Sequence, residues 1–195
     1  MNVVAGRPGP FMTAEEFLAW PEDGTGFTYQ LVDGEVCCLS PASRTHGVIQ
    51  GNIVRLNGNA IIAADLPLQV GVEIATQPRV NASTNVRVPD VLVAGLTDVE
   101  GEIVAAEPLL VVEVLSPGNT DYTRDNVRSY ATQPSVREIV VVHSMRRRVE
   151  VHRRLQDGTW AADPEIVEDG ARLRLASVAL DVAVGEVYAR SWFDR

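Results

Sequence analysis

Pro108-Leu109-Leu110-Val111-Val112-Glu113-Val114-Leu115 is an extended apolar run with one charge inside it. A strand apolar on both faces is buried on both faces, so it belongs at the centre of a sheet with helices on either side. Glutamate in such a run costs roughly several kcal/mol to bury unpaired. Glu113 must therefore find a cation, a hydrogen-bond donor or a metal. Twenty-three residues earlier, Val88-Pro89-Asp90 lies in a second extended segment, expected over residues 86–94. Were the two strands neighbours, both carboxylates would converge on one hard divalent cation. Magnesium takes one or two carboxylates with a carbonyl and waters, and the Val114 carbonyl is a candidate third oxygen. Such an ion polarises a phosphoryl oxygen and lowers the pKa of an attacking water. The competing reading pairs Glu113 with an arginine, as buried charges commonly are.

Outward from this stretch the chain alternates helix and strand signals. Thr13 followed by Glu16 is a capping box, so a short helix should span residues 14–19, ended by Pro21 and Gly24. Tyr29–Leu39 reads as a hairpin around Asp33-Gly34, since that turn needs positive φ. Ser40-Pro41 breaks the second strand. Apolar residues at Val48, Ile49, Ile53, Leu56, Ala60 and Ile61 recur at helical spacing over residues 44–64, with Ser43 as cap. Gly47, Gly51 and Gly58 weaken that helix and suggest close packing on a sheet. A strand over residues 68–75, a helix over 121–132 and a hairpin over 138–143 and 149–154 follow. Short strands occupy the remainder, with turns at Asp157-Gly158 and Asp169-Gly170. The pattern is a mixed α/β domain over residues 13–195, preceded by a flexible lead-in over residues 1–12.

Composition narrows the function. The 195 residues carry 26 acidic and 17 basic side chains, a net charge of −9, and every basic one is arginine. Without lysine there is no Schiff-base chemistry and no phosphate loop of the Walker type. An acidic protein has no bulk basic field for nucleic acid, so any such site is a local patch. Cys37 and Cys38 are adjacent, point to opposite strand faces and read as reduced small apolar residues of a cytoplasmic protein. No apolar run reaches the roughly 18 residues of a membrane span.

The ordered blocks then carry a resemblance. They are Thr13–Trp20, Tyr29-Gln30-Leu31-Val32-Asp33-Gly34-Glu35-Val36, Ser40-Pro41 with His46, Val86–Val91, Val112–Pro117, Arg124-Asp125, Tyr130-Ala131 and Glu138–Val142. Together they resemble the Uma family of "putative restriction endonucleases" within the PD-(D/E)XK nuclease superfamily, over roughly residues 13 to 188. The resemblance implies a restriction-endonuclease-like core, a central mixed sheet flanked by helices with extra hairpins. It implies Asp90 and Glu113 as metal ligands and Glu35 as a third acidic member; a solvated hairpin glutamate is the alternative for Glu35. His46, and Gln50 one turn on, are candidate phosphate contacts; His46 reads equally as a surface or capping residue. The superfamily's lysine two residues after the glutamate is Leu115 here. The family's lysine on the following helix falls at Asn126, flanked by Arg124 and Arg128. Arginine binds phosphate but is no base, so either an arginine substitutes electrostatically or catalysis is impaired.

Arg146, Arg147, Arg148, Arg153 and Arg154 form the one basic cluster. It reads as a solvated hairpin tip, with a DNA-backbone patch as the alternative. Tyr188, Trp192 and Phe193 read as closing over the protein's own core or meeting a partner, with a stacking platform for bases as the alternative. The expectation is a DNA endonuclease using Mg²⁺ or Mn²⁺. Catalytic roles fall to Glu35, Asp90, Glu113, Asn126 and Arg128, and metal binding to Asp90, Glu113 and Val114. DNA contacts fall to His46, Gln50, Arg124 and Arg128. A homodimer suits cutting of both strands by analogy. The alternative is a non-catalytic nucleic-acid-binding or assembly module on the same fold; a carboxylate-pair glycosidase is the weakest reading.

Overall fold

The computed structural model describes residues 3–5, 11–20, 27–39, 41–97, 101 and 103–194. Pro21, Gly24, Ser40 and the Gly6–Pro10 part of the expected lead-in lie outside the described residues. Thr13 caps α1 (Ala14–Leu18) with the reciprocal Glu16 bond that the capping box requires. The hairpin β2 (Thr28–Val32) and β3 (Glu35–Leu39) turns at Asp33 and Gly34, both at positive φ (47° and 88°). The Phe11 ring packs over Gly34, 2.2 Å from where a Cβ would stand, so a side chain there would also have to displace that exposed ring. The lead-in reading gives way at β1 (Val3–Ala5), which pairs antiparallel with β3. Two consecutive valines suit an extended strand, and the free edge of β3 supplies the partner groups.

The main sheet has six strands in the order β4 (Leu68–Val72), β5 (Val91–Gly95), β6 (Pro108–Leu115), β7 (Glu138–His143), β8 (Arg148–Arg153), β9 (Glu165–Glu168). The β6–β7 pairing is parallel and the others are antiparallel. The parallel connection carries α3 (Thr120–Ala131), as a crossover must. Residues alternate cleanly across β6. Leu110, Val112 and Val114 face the core under α2 (Arg44–Ala63), against Ile49, Ile53 and Leu56. Val111 and Leu115 face the core under α3, against Val127 and Tyr130. Glu113 is on that second face. A two-stranded ribbon, β10 (Arg172–Leu175) and β11 (Leu180–Ala183), and the short α4 (Val184–Val187) close the α2 side.

Two strands are shorter than the sequence suggests. The run 86–94 breaks at Pro89, which has no N–H to give a ladder. Before it, Val86 and Arg87 bridge to Leu31 and Thr76, and β5 starts only at Val91. The run 68–75 ends at Val72 because Glu73 adopts φ 52°.

The glycines of α2 are a correction. A Cβ at Gly47, Gly51 or Gly58 would meet nothing within 4 Å, so no close approach requires them. Glycine in an open helical position costs about 0.5–1 kcal/mol relative to alanine. Gly51→Ala is therefore expected to stabilise the protein by that amount, raising Tm by roughly 1–4 °C in a thermal melt followed by circular dichroism.

Candidate functional site

Val91 pairs with Val112 across the antiparallel β5–β6 ladder. The next step of the same register sets Asp90 opposite Glu113. Both are buried, at 2% and 6% exposure. Asp90 uses both oxygens. Oδ2 accepts from the Val114 N–H at 2.6 Å, and Oδ1 lies 3.0 Å from His46 Nε2. The other ring nitrogen of His46 lies 3.4 Å from Ser116 Oγ, and Ser144 Oγ donates to that oxygen at 3.3 Å. His46 is held there by α2's first turn, where its N–H donates to the Ser43 cap. Gln50, one turn on, donates to the Asp90 carbonyl at 2.8 Å.

Glu113 is served from α3. Asn126 Nδ2 and Tyr130 Oη both donate to Oε1, at 3.0 and 2.8 Å. Burial, and then the facing Asp90 charge, push its pKa up to about 8 against the opposing pull of those two donors. Behind Asn126 stands Arg87, the one buried arginine among the described residues. Its Nη1 donates to Asn126 Oδ1 at 3.0 Å, and its Nη2 donates to Asn85 Oδ1 and Asp125 Oδ2, each at 3.1 Å. Arg87, Asn126 and Glu113 are thus one hydrogen-bonded chain in which the cation touches the amide and the amide touches the carboxylate.

The remaining candidates divide between contacts to Asp90 and positions away from the carboxylate pair. Glu35 is exposed at the start of β3, and no contact between it and Asp90 or Glu113 occurs among the described residues. His46 is wholly buried and, with Gln50, serves Asp90 rather than an external phosphate. Val114 meets Asp90 through its N–H. Arg124 is spent on Glu150, at 2.5 and 2.9 Å. Arg128 is exposed, beside Trp160 and His152 in a groove. Arg87, Tyr130 and Ser116 were not singled out from the sequence. The signal for Arg87 was its place three residues before Asp90, and for Tyr130 its helical spacing from Asn126.

Four of the five arginines read from the sequence as a solvated tip are cross-links instead, while Arg146 stays exposed at the tip. Arg147 pairs with Asp169 and Asp194, Arg148 with Glu168, and Arg153 with Glu138 and Glu165. Arg154 donates to four carbonyls, and Arg146 to His143. The aromatic tail folds onto its own chain, with Tyr188 buried and edge-on to Phe193.

Glu150, beneath α3, also accepts from His143 at 2.7 Å. Burial raises its pKa, but hydrogen bonds from Arg124 and His143 outweigh that and bring it to about 2 from the usual 4.5. Burial lowers the His143 pKa against the pull of Glu150. A depressed carboxylate stabilises the fold fully above its unfolded value of about 4.5 and loses that contribution towards pH 2. A depressed histidine likewise loses its contribution as pH falls through its folded value. Between about pH 8 and 4.5 the raised Glu113 acts the other way, gaining stability on acidification. Below about pH 4.5 Glu113 is protonated in both states, so Tm should decline on acidification from there to about pH 3. Glu150→Gln should lower Tm at neutral pH and flatten that decline.

Do these residues suit a divalent metal? Among the described residues no group of three or more His, Cys, Asp or Glu could hold one. Two opposed carboxylates nonetheless supply hard oxygens, and their mutual repulsion is relieved by a cation. That donor set matches an ion of the magnesium type, which completes its shell with water.

Three comparisons bear on this arrangement. A family model described as "Putative restriction endonuclease", Uma2, matches residues 14–184. An uncharacterized protein of Synechocystis is 30% identical over 183 residues, 93% of each chain. The crystal structure of a "putative nuclease" of DUF820 from Anabaena variabilis aligns with TM-score 0.70 at 19% identity, covering 91% of this chain and 98% of that one. At that identity the likeness speaks for the fold alone. No helix among the described residues is long and apolar enough to cross a membrane.

Proposed function

From a chain that belongs to the Uma2 family, described as "putative restriction endonuclease", we propose a DNA phosphodiesterase that works with Mg²⁺ or Mn²⁺ held by Asp90 and Glu113. The observation that carries this reading is the pair of buried carboxylates facing each other, Asp90 immediately before β5 and Glu113 on β6, each oriented by its own donors. A bound ion would supply a polarised phosphoryl oxygen and a more acidic water. The chain's own residues do the rest. The Val114 N–H and His46 fix the plane of the Asp90 carboxylate, and Asn126 and Tyr130 hold Oε1 of Glu113, so that Oε2 is the oxygen left for a ligand. The Val114 carbonyl is a further oxygen donor in this reading. Arg87 polarises Asn126 and stands in for the missing ammonium. Arg128, exposed on α3, is the candidate contact to the DNA backbone, and a second copy of the chain would serve the opposite strand.

A second reading, a binding or assembly module without catalysis, is favoured by one observation. Asn126 is neutral and engaged on both sides, so no mobile charge stands beside Glu113. One experiment separates the two: manganese titration calorimetry, with plasmid cleavage in Mg²⁺, Mn²⁺ or EDTA, on the parent and on Glu113→Gln. Gln can still accept from Asn126 and Tyr130 but carries no charge. The nuclease reading expects metal binding and cleavage in the parent, both lost in the variant. Metal binding without cleavage supports the module, and no metal binding at all removes the site.

A further inference from the structure

Three strand segments meet at one register beside Glu113. Gln30 pairs with Cys37 across the β2–β3 hairpin. On its other side, the Leu31–Val86 bridge is antiparallel, so its next step sets Gln30 opposite Arg87. Cys37, Gln30 and Arg87 are therefore a cross-strand row on one face, with neighbouring Cβ atoms about 5 Å apart. Helix α3 lies over this row. Tyr122, Asn126 and Tyr130 recur every fourth residue and share a stripe, and Asn126 anchors the stripe to both Arg87 and Glu113.

This compartment holds an excess of donors. Gln30 Nε2, Arg87 Nε and Tyr122 Oη are all buried, and none has a hydrogen-bond partner among the described residues. Gln30 is 0% exposed and Arg87 2%, so bulk water does not serve them. Orphaned buried donors are costly, and three in one place point to an acceptor that belongs there. Arg87 supplies the positive charge, with Glu113 and Asp125 the acidic groups acting on Tyr122. The only ion-pair partner of the Arg87 guanidinium among the described residues is Asp125, which is 49% exposed and so lies partly in screening solvent. The half-buried Cys37 and Tyr122 stand at the compartment's outer end.

We propose that Gln30, Arg87 and Tyr122 form an oxyanion-binding compartment beside Glu113, whose ligand is a phosphate group of the nucleic acid. The donors match that ligand: a guanidinium N–H, an amide NH₂ and a phenol together can bond two oxygens of one tetrahedral anion. The assignment to nucleic acid rests on the nuclease reading; the capacity to bind phosphate does not.

The test uses no metal and no cleavage. Orthophosphate and the dinucleotide dTpdT are titrated against the full chain in EDTA, by calorimetry and by thermal melts, with chloride at matched ionic strength as reference. Both probes should bind and raise Tm as their concentration rises. Tyr122→Phe removes a buried hydroxyl that bonds nothing, so its unliganded Tm should rise above the parent's while phosphate affinity falls about tenfold or more. Gln30→Glu keeps an oxygen for the Val88 N–H and sets a carboxylate against Arg87 Nε. It should raise the unliganded Tm and abolish phosphate binding. Binding of orthophosphate but not of dTpdT would overturn the nucleic-acid assignment and leave the oxyanion site standing. No binding beyond the chloride reference, as expected if waters satisfy the donors, overturns the proposal. So does binding that survives unchanged in both variants. Phosphate binding in a parent that fails the separate plasmid assay leaves this site standing and counts against the metal reading alone.

Discussion

Asp90→Asn is expected to abolish metal-dependent cleavage, by on the order of 10³-fold or more, and to leave a folded protein. The first half follows from charge. Asparagine is isosteric but neutral, so the pair that would hold a divalent ion drops from two carboxylates to one. Loss of a single preorganised electrostatic group costs on the order of 10²–10³ in rate, and here the metal's own contribution goes with it. The second half follows from hydrogen bonding. Asp90 accepts twice, from the Val114 N–H and from His46. Asparagine accepts with one atom and donates with the other. Its oxygen can keep Val114, because that backbone donor cannot change. Its NH₂ can then face His46 Nε2 if the ring proton moves to Nδ1, where Ser116 Oγ accepts it. The histidine tautomer absorbs the change, so Tm should fall by no more than about 4 °C, equivalent to roughly 1 kcal/mol. Asp90→Ala has no such repair and should cost more, since it leaves both donors unpaired in the core. Cleavage rate, manganese affinity and Tm are the readouts. Unchanged cleavage by folded Asp90→Asn would sink the metal assignment.

How much of this was readable beforehand depends on whether a residue betrays itself locally. Glu113 does, because a charge inside Pro108–Leu115 breaks an apolar pattern that has no other exception. Asp90 does through the proline before it, which ends one pairing and begins the next. The capping box, the Asp33-Gly34 turn and the apolar spacing of α2 were local as well, and the elements came out within one or two residues. Arg87 does not betray itself. An arginine between two valines reads as the solvent face of an alternating strand. Its burial depends on Leu31 and Thr76, more than fifty and about ten residues away, closing on either side of it. The α2 glycines misled for the same reason: their number suggested close contact, but contact is a property of the partner surface. Arginines 146–154 are the third case. Their density in sequence suggested a solvated tip, whereas the acidic partners come from β9, β7 and the C-terminal segment.

Arg154→Met should lower Tm by roughly 4–12 °C, the equivalent of about 2–3 kcal/mol for a chain of this size. Its guanidinium donates to the carbonyls of Val136 and Gly158, each at 2.8 Å, Ala131 at 2.9 Å and Gln133 at 2.7 Å. It also lies 4.6 Å from the centre of the Trp160 ring. Ala131 is the last residue of helix α3 and Gln133 follows its cap, where the last carbonyls lack intrahelical donors and the dipole favours a cation. Trp160 Nε1 donates to the same Ala131 carbonyl at 3.0 Å. Arginine and indole together therefore fasten the helix end. Hydrogen bonds from a charged group contribute about 1.5–3 kcal/mol each when fully buried. Arg154 is half-buried, and water can replace some of what it gives, which sets the total well below four such bonds. Methionine keeps the packing on Trp160 and loses every donor. Arg154→Lys should recover less than half, since an ammonium has three donors and no planar fork. The effect should reach the site, because Asn126 and Tyr130 are carried by the last turns of this helix. Amide hydrogen exchange over residues 126–131 should quicken in Arg154→Met and not in Arg128→Met, whose side chain is exposed. A solvated tip predicts a Tm change within about 0.5 kcal/mol equivalent. A DNA-backbone patch predicts weakened DNA binding at unchanged Tm. Either result would remove Arg154 from the support of the helix that positions Glu113.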